Sequence, residues 1–364
     1  MKIALDILTP KQCMFSLKLS EQLECRGHKV LKTTRKYREV NQLLELKGIK
    51  VEVVGEHGGG NLANKLRTSA QRILELSTVI EDFSPDIAIS FSSPEMARVS
   101  FGLGIPHVSI NDSPHAAAVA RLTIPLSRKL MTPKMIPKGA WTKFGISSSD
   151  IVQYNALDPW VWLKDFKPDR QILSNLVLDD SKPIVTFRTE ESFASYLLGE
   201  DLPETTMVPL IKQVLEKTKD VQVVVVPRYE EQIKALHRIF KDKIIVCNTT
   251  IDGPSLLHYT SVFVGGGGTM TTESTLLGVP TFSCYPNKPF EILKYLVKNK
   301  LVTLVKNPKQ LSRKITCTLE DLEKIKKMQI KKIQNMIKNF EDPIEKIVTE
   351  VEKIGFRQDL RVNC

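Results

Sequence analysis

The sequence predicts an α/β fold made of two Rossmann-like domains, each with a parallel sheet, and three observations favour this class. Short apolar runs alternate with helical segments along the chain, which is typical of doubly wound sheets. The alternation occurs twice, before and after a proline-containing stretch at residues 159–183. The length of 364 residues suits two domains of ordinary size, each able to bury its own core.

The first domain is expected to span residues 1–165. Its strands are short apolar runs, and helical patterns lie between them, the clearest at residues 13–26 and 62–83. The predicted strands are residues 3–7, 29–33, 51–54, 87–90, 107–110 and 129–132.

The second domain is expected to span residues 166–341, with helical patterns at residues 205–218 and 229–240. Its predicted strands are residues 184–188, 221–226, 243–247, 261–264, 281–283 and 302–305.

A separate C-terminal helix is expected over residues 342–364. Asp342-Pro343 interrupts the preceding lysine-rich helix, because proline cannot continue a helix. The last helix either stays on the second domain or crosses back to the first. Its apolar residues share one face and are Ile344, Ile347, Val348, Val351 and Ile354.

Composition indicates a soluble globular protein, with 42% apolar and 26% charged residues. The chain has no run of about 18 apolar residues, so no transmembrane helix is expected. Its first residues look like a strand and not like a signal peptide. Its six cysteines are scattered without a CxxC pair, which favours a reducing cytoplasm over a disulfide framework or a zinc site.

The net charge of +11 is concentrated in lysines of the C-terminal third. They alternate with apolar residues at helical spacing, which indicates the solvated face of an amphipathic helix. Attraction to the inner face of a membrane, or to a phosphate-bearing acceptor, remains an alternative. No RNA-binding aromatic signature or zinc-finger spacing supports binding to nucleic acid. The lysines are Lys324, Lys326, Lys327, Lys331, Lys332 and Lys338.

A glycine run between a buried strand and a helix is the most informative motif. The glycines lack a Cβ, so a ligand can approach bare backbone amides. The helix that begins at Thr269 offers free N–H groups and its positive dipole end to a phosphate. Glu273, about one turn in, suits a ribose diol, but the run alternatively serves only helix–sheet packing. Its glycines are Gly265, Gly266, Gly267 and Gly268.

Two common nucleotide motifs are absent from the sequence. It contains no Gly-x-x-x-x-Gly-Lys-Ser/Thr, so a P-loop is not expected, and no Gly-x-Gly-x-x-Gly opens the first βα turn.

Ligands of open α/β sheets bind outside the carboxyl ends of strands, so polar residues there are candidates. Thr9 and Pro10 follow the first strand and either contact substrate or cap a helix. Asp112 and His115 follow the fifth strand and could supply a general base and its orienter. The alternative for this pair is an Asx-type turn with a surface histidine.

Two arginines follow neighbouring predicted strands of the second half. Arg188 comes directly after one strand and Arg228 shortly after the next. Arginine binds phosphate oxygens in a bidentate manner, so this pair suits a diphosphate. Ordinary surface arginines are the alternative.

The chain resembles the GT-B superfamily, which includes nucleotide-sugar glycosyltransferases and non-hydrolysing UDP-N-acetylglucosamine 2-epimerases. Within it, the chain is identified as a member of an archaeal family, domain of unknown function 354. The resemblance implies two Rossmann-like domains facing each other across a cleft. The stretches that carry it are residues 2–10, 101–106, 111–116, 154–155, 166–169 and 265–280.

The resemblance implies that the second half binds a nucleotide diphospho-sugar. The glycines and Thr269 would contact the diphosphate, Glu273 the ribose, and Met270 and Thr272 would complete the site. The first half would bind the acceptor or present catalytic groups. The superfamily implies neither a metal nor a cofactor, and no metal-ligand cluster occurs in the sequence.

The epimerase pattern is broken at three places. Phe187 stands where those enzymes carry histidine, and Phe91-Ser92-Ser93 replaces an aspartate. Their Gly-Thr-Arg-Pro-Glu motif near the start of the chain is replaced here by residues 8–12, Leu-Thr-Pro-Lys-Gln. We therefore expect a metal-independent glycosyltransferase, with a UDP-sugar favoured and the acceptor open. An epimerase-like isomerase and a non-catalytic nucleotide-sugar-binding protein are the alternatives.

Overall fold

The structure is a computed structural model that describes residues 1–190 and 207–362. The chain divides into two compact units. The first unit comprises Met1–Trp162 and Phe340–Cys364, and the second comprises Leu163–Asn339. Each unit contains its own parallel sheet, so the predicted α/β class with two Rossmann-like domains is confirmed.

The first unit has a seven-stranded sheet in the order β3-β2-β1-β4-β5-β6-β7. All pairings are parallel, and the direction of strand addition reverses between β1 and β4. The strands are β1 (Lys2–Ile7), β2 (Lys29–Lys36), β3 (Glu52–Glu56), β4 (Ile87–Ser90), β5 (His107–Ile110), β6 (Lys129–Pro133) and β7 (Ile151–Tyr154).

Helices cover the central strands, so every residue of β4 and β5 is buried, as expected of a parallel sheet. The longest helix of the unit begins after Asn61, whose side chain accepts a hydrogen bond from Asn64 N, and ends at Ser84 in the left-handed region. The helices before residue 164 are α1 (Pro10–Cys25), α2 (Arg38–Leu46), α3 (Leu62–Phe83), α4 (Pro94–Gly102), α5 (Ala117–Thr123), α6 (Gly139–Thr142) and α7 (Trp160–Leu163).

A buried ion pair links a central strand of the first unit's sheet to a helix. Asp6 of β1 is fully buried, and Arg72 of α3 is 1% exposed. The Arg72 guanidinium donates to both Asp6 oxygens, over 3.0 and 2.6 Å, and its Nε donates to Val54 O over 2.8 Å. Glu95 lies 3.6 Å from Arg72 and accepts from Ser69 Oγ over 2.7 Å. Both buried charges therefore have hydrogen-bonded partners.

The second unit has a six-stranded sheet in the order β10-β9-β8-β11-β12-β13, again all parallel. The direction of strand addition reverses between β8 and β11. The strands are β8 (Ile184–Arg188), β9 (Gln222–Val226), β10 (Ile245–Val246), β11 (Val262–Gly265), β12 (Thr281–Ser283) and β13 (Val302–Leu304).

Eight helices of the described chain belong to the second unit. The predicted helix at 205–218 is observed from Val208, and its first two residues lie outside the described residues. The helices are α8 (Gln171–Asn175), α9 (Val208–Lys217), α10 (Glu230–Phe240), α11 (Gly253–Tyr259), α12 (Thr269–Leu276), α13 (Glu291–Lys298), α14 (Pro308–Glu320) and α15 (Leu322–Ile337).

The lysine-rich segment forms α15, which buries Gln329 and Ile333. Gln329 Nε2 donates to Leu301 O over 2.5 Å, which fixes the helix to the residue directly before β13. Lys324, Lys327 and Lys331 are exposed on the opposite side. Across residues 1–190 and 207–362, no helix is long and apolar enough to cross a bilayer.

The last helix, α16 (Pro343–Val362), packs against α1 and belongs to the first unit. Arg26, directly after α1, pairs with Glu345 and with Glu352, the latter over 2.9 Å. His28 Nε2 lies 3.1 Å from Glu352, and Gln22 donates to Glu345 over 2.6 Å. The apolar face of the helix is buried through Ile344, Ile347, Val348 and Val351.

Candidate functional site

The glycine run lies at the point of the second sheet where the strand order reverses. β8 and β11 are neighbours there, with Val264 paired to Phe187. In open α/β sheets the crevice outside the carboxyl ends of two such strands is the usual ligand site. Gly265 ends β11, and Gly268 is the N-cap of α12. The loop between them therefore lies where a ligand of the second unit would bind.

The backbone of this loop is open toward a ligand. Gly267 N donates to Thr271 Oγ1 over 3.1 Å, whereas Gly268 is exposed and provides no side-chain cap. The amides of Thr269 and Met270 have no hydrogen-bond partner within the described chain. Uncapped amides at a helix N-terminus bind anions.

The four glycines differ in how closely their surroundings approach them. A Cβ on Gly267, whose φ is +98°, would lie 2.9 Å from Leu293 Cδ2, and one on Gly265 would lie 2.9 Å from the Phe263 ring. A Cβ on Gly266 would meet nothing within 4 Å, and one on Gly268 would lie 3.7 Å from Arg228 Nη2. Packing thus requires glycine at positions 265 and 267, whereas it leaves room for a side chain at Gly266 and Gly268.

This difference predicts the stability of two single variants. Gly267→Ala should lower the free energy of unfolding by about 1–3 kcal/mol, because the new methyl group overpacks against Leu293 in a strained backbone. Gly266→Ala, the matched control, should stay within about 0.5 kcal/mol of the parent. Urea denaturation measures both, and equal losses would contradict the assigned geometry.

The two arginines flank the carboxyl ends of β8 and β9. Arg188 Nη1 donates to Pro227 O over 2.8 Å and to Val226 O over 3.3 Å. Arg228 Nε donates to Thr189 O over 3.3 Å. Gln232 fixes this arrangement, since its Oε1 accepts from Thr189 Oγ1 and from Arg228 N over 2.7 and 2.9 Å. Arg228 therefore lies next to the glycine run, and Arg188 is anchored to the adjacent backbone.

Glu273 lies on the buried side of α12, with its side chain 5% exposed. Thr272 before it is equally buried, and Met270 lies near Gly253 of α11. Thr271 O accepts from Ser274 Oγ over 3.0 Å and from Thr275 Oγ1 over 2.7 Å. These contacts fix the helix and hold the carboxylate one turn beyond the open amides.

In the first unit, Asp112 belongs to a cluster centred on Lys11. Lys11 of α1 forms ion pairs with Asp112 and, over 2.7 Å, with Asp158. Tyr154 Oη donates to Asp158 Oδ1 over 2.6 Å, and Lys11 Nζ lies 4.6 Å from the Phe91 ring centroid. We call Lys11, Asp112, Tyr154, Asp158 and the nearby His115 the Lys11 cluster.

Burial and nearby charges shift the pKa values of the two carboxylates of this cluster in opposite directions. Burial opposes ionisation of Asp112, but the charge and hydrogen bond of Lys11, together with Ser113 and His115, outweigh it and lower the pKa of Asp112 below 3.8. Burial and the nearby Asp112 charge raise the pKa of Asp158 above 3.8 despite Lys11. Asp112 is therefore the anionic partner of Lys11, and Asp158 is the carboxyl that holds a proton more readily.

His115 is half-buried. Burial lowers the pKa of His115 below 6.5. The Asp112 charge opposes this shift, and the Lys11 charge adds to it. The imidazole is therefore neutral at pH 7 and able to accept a proton. Asn111 Oδ1 accepts from Ser113 N over 2.8 Å, so the Asx-type turn is also present.

The profile of a protein family described as "Protein of unknown function (DUF354)" matches residues 1–354. The chain belongs to this family. It is 32% identical over 302 residues to the uncharacterized protein MJ0665 of Methanocaldococcus jannaschii, covering 81% of this chain and 84% of that protein. The expected membership in family 354 is confirmed.

Solved structures similar to this DUF354 protein have the GT-B fold. UDP-GlcNAc 2-epimerase from Neisseria meningitidis, bound to UDP-GlcNAc, superposes with a TM-score of 0.73 at 18% identity, covering 96% of this chain and 99% of that chain. Glycosyltransferase VinC, in complex with dTDP, has a TM-score of 0.61 at 14% identity, covering 98% and 100%. At these identities the likeness establishes the GT-B fold.

Sequence reasoning missed three members of the Lys11 cluster in this DUF354 protein, namely Lys11, Tyr154 and Asp158. β7 was not predicted, so Tyr154 at its end and Asp158 beyond it were not recognised as strand-end residues. Thr9 and Pro10 form the N-cap and first turn of α1, with Gln12 N donating to Thr9 Oγ1 over 3.4 Å. They place Lys11, the next residue, in the cluster.

Metal binding was not expected from the sequence. Across the described residues, no three His, Cys, Asp or Glu side chains are grouped so that they could hold a metal ion.

Proposed function

We propose that this DUF354 protein is a glycosyltransferase that uses a nucleotide diphospho-sugar, with a UDP-sugar as the favoured donor. The observation that carries the proposal is the open amide pair of Thr269 and Met270, bordered by two glycines that packing leaves free. Arg228 lies beside this opening. Together these groups match a diphosphate in charge and shape.

The donor site is assigned to the second unit. The α12 N-terminus and Arg228 stabilise the charge that develops on the leaving diphosphate. Glu273, one turn along the same helix, accepts hydrogen bonds from the ribose. Two related folds support this assignment, since the N. meningitidis epimerase was solved with UDP-GlcNAc and VinC with dTDP.

Acceptor activation is assigned to the first unit. Neutral His115 takes the proton of an acceptor hydroxyl, and the Asp112 carboxylate stabilises the imidazolium that forms. The acceptor oxygen forms a bond to the anomeric carbon while the bond from that carbon to the diphosphate breaks. The electron pair of the broken bond leaves on the diphosphate.

Transfer is favoured over epimerisation by two phenylalanines. Phe187, where the epimerases carry histidine, is fully buried in the second unit's core. Phe91, in the segment that replaces an aspartate, is 4% exposed and lies beneath Lys11. A phenyl ring cannot exchange protons, so neither position supports proton abstraction from the sugar.

Calorimetric binding of UDP, GDP, dTDP, CDP and ADP in the presence of EDTA tests the donor site. We expect one diphosphate, UDP, to bind selectively without metal. Glu273→Ala should weaken its binding about 10- to 150-fold, because a charged hydrogen bond contributes about 1.5–3 kcal/mol. Glu273→Gln, which preserves shape, separates this loss from any effect on folding.

Glu323→Gln is the matched control, since Glu323 is an exposed carboxylate of α15. Its affinity for UDP should equal that of the parent. If no nucleoside diphosphate binds, the glycine run is only a packing turn and the transferase proposal is wrong. An unchanged affinity in Glu273→Gln and Glu273→Ala would overturn the ribose assignment alone.

A further inference from the structure

Arg35 is placed in the first unit by an irregular pairing of β2 with β3. Thr34 pairs with Val53 and Lys36 with Glu56, so two residues of β3 lie opposite Arg35. One of them is Gly55, with φ at +70°, where a Cβ would lie 2.8 Å from Arg72 Cγ. Such a bulge redirects the facing side chain and is frequent next to ligand sites.

The Arg35 guanidinium lacks the partners that its neighbour has. Its Nε is buried without a hydrogen-bond partner, and no group in the described chain forms an ion pair with it. Arg72, close by, forms two bonds to Asp6 and one to Val54 O. Arg72 is therefore paired, whereas the half-buried Arg35 has a buried Nε without a hydrogen-bond partner.

Partial burial makes it costly to keep Arg35 charged. Burial lowers the pKa of Arg35, Glu95 opposes this shift, and the Arg72 charge adds to it. A partly buried charge without a counterion destabilises a protein unless something compensates it. Groups of this kind concentrate at binding sites.

His57, after β3, supplies a second donor. Its ring stacks on Tyr37 with centroids 4.7 Å apart, and its Nδ1 accepts from Gly59 N over 3.1 Å. Burial, with the charges of Arg35 and Lys65, lowers its pKa to about 4. The neutral ring therefore carries its proton on Nε2, which can donate to an anion.

The nearby anions are already engaged. Asp6 accepts from Arg72 and Thr33, and Glu95 accepts from Ser69 and Ser93. A Cβ on Gly58 would lie 2.6 Å from Lys65 Cα, so the loop after β3 packs directly on the first turns of α3.

We propose that Arg35 and His57 bind a phosphoryl group at the carboxyl end of β2. The guanidinium offers paired N–H donors with the spacing of two phosphate oxygens, and the neutral imidazole adds one more. This site belongs to the first unit and does not depend on the nucleotide site proposed for the second. Glu273→Ala should leave it intact, so the two proposals fail separately.

Thermal unfolding in phosphate-free buffer, with and without added inorganic phosphate, tests the site. The parent should be stabilised by phosphate. Arg35→Met should unfold at the same or a higher temperature than the parent without phosphate, because an unpaired charge is removed, and it should bind phosphate about 10- to 150-fold more weakly. Arg72→Met should unfold at a lower temperature yet retain the phosphate response.

Vesicles of phosphatidylcholine with and without phosphatidic acid identify the source of the phosphoryl group. Sedimentation with phosphatidic acid that is lost in Arg35→Met and kept in Lys143→Met, an exposed control, assigns it to a lipid headgroup. A response to inorganic phosphate without vesicle binding assigns it to a soluble molecule. No response to either, or a full response in Arg35→Met, would overturn the proposal.

Discussion

His115→Ala is expected to reduce kcat for sugar transfer by about 10²- to 10⁴-fold, the usual contribution of a general base. The expectation rests on a half-buried imidazole whose pKa is held below 6.5 by burial. Because the donor site is assigned to the second unit, the affinity for the nucleotide should stay unchanged. Steady-state kinetics with a hydrolysable nucleotide-sugar and an acceptor mixture, combined with calorimetry, measures both quantities.

The pH profile provides a second test of His115. The base works only when deprotonated, so activity should be constant near neutrality and fall as pH drops through its lowered pKa. His237→Ala, at an exposed histidine of α10, is the control and should keep the full profile. An unaffected kcat in His115→Ala would exclude this residue and leave Asp158, whose pKa is raised, as the next candidate.

Asp6→Asn is expected to lower the free energy of unfolding by about 3–5 kcal/mol. The change keeps the shape of the side chain but removes the hydrogen-bonded counterion of Arg72, which is 1% exposed, and leaves Glu95, 3.6 Å away, as the remaining carboxylate. Urea denaturation of the variant and the parent measures the loss. Asp82→Asn, at an exposed carboxylate of α3, is the matched control and should stay within about 0.5 kcal/mol of the parent.

The same pair predicts how stability depends on pH. Burial opposes ionisation of Asp6, yet the Arg72 charge and its hydrogen bonds lower the pKa of Asp6 below 3.8. The ionised carboxylate therefore adds stability above pH 3.8, and this part is lost as pH falls through the lower pKa of the folded state. Asp6→Asn should lack this step, and an identical acid profile in both proteins would contradict the assignment.

The sheets were predictable because buried parallel strands are continuous apolar runs. β4, β5, β8 and β12 match the predicted residues, and α3 matches at both ends. Two elements departed most from the prediction. β7 was missed because Gln153 and Tyr154 interrupt its apolar pattern, and β10 is only two residues long where five were expected.

The site was only partly predictable, for physical reasons. Glycines and their helix can be recognised locally, so the loop after β11 was identified from its spacing. Lys11, Asp112 and Asp158 are far apart in the chain, and no local pattern indicates that one ammonium bridges both carboxylates. Arg35, after the second predicted strand, is interpreted from the sequence as a surface arginine, because the burial of its Nε depends on how β3 is bulged.

The position of α16 sets an order of events during synthesis. The first unit begins at Met1, yet the helix that covers α1 is encoded after the whole second unit. At about 5–20 residues per second, roughly 10–40 seconds separate the emergence of residue 162 from that of residue 355. Through that interval α1 lacks the covering of α16, whose buried residues include Ile347, Val348 and Val351. The unit that starts first is therefore the last to be completed on the ribosome.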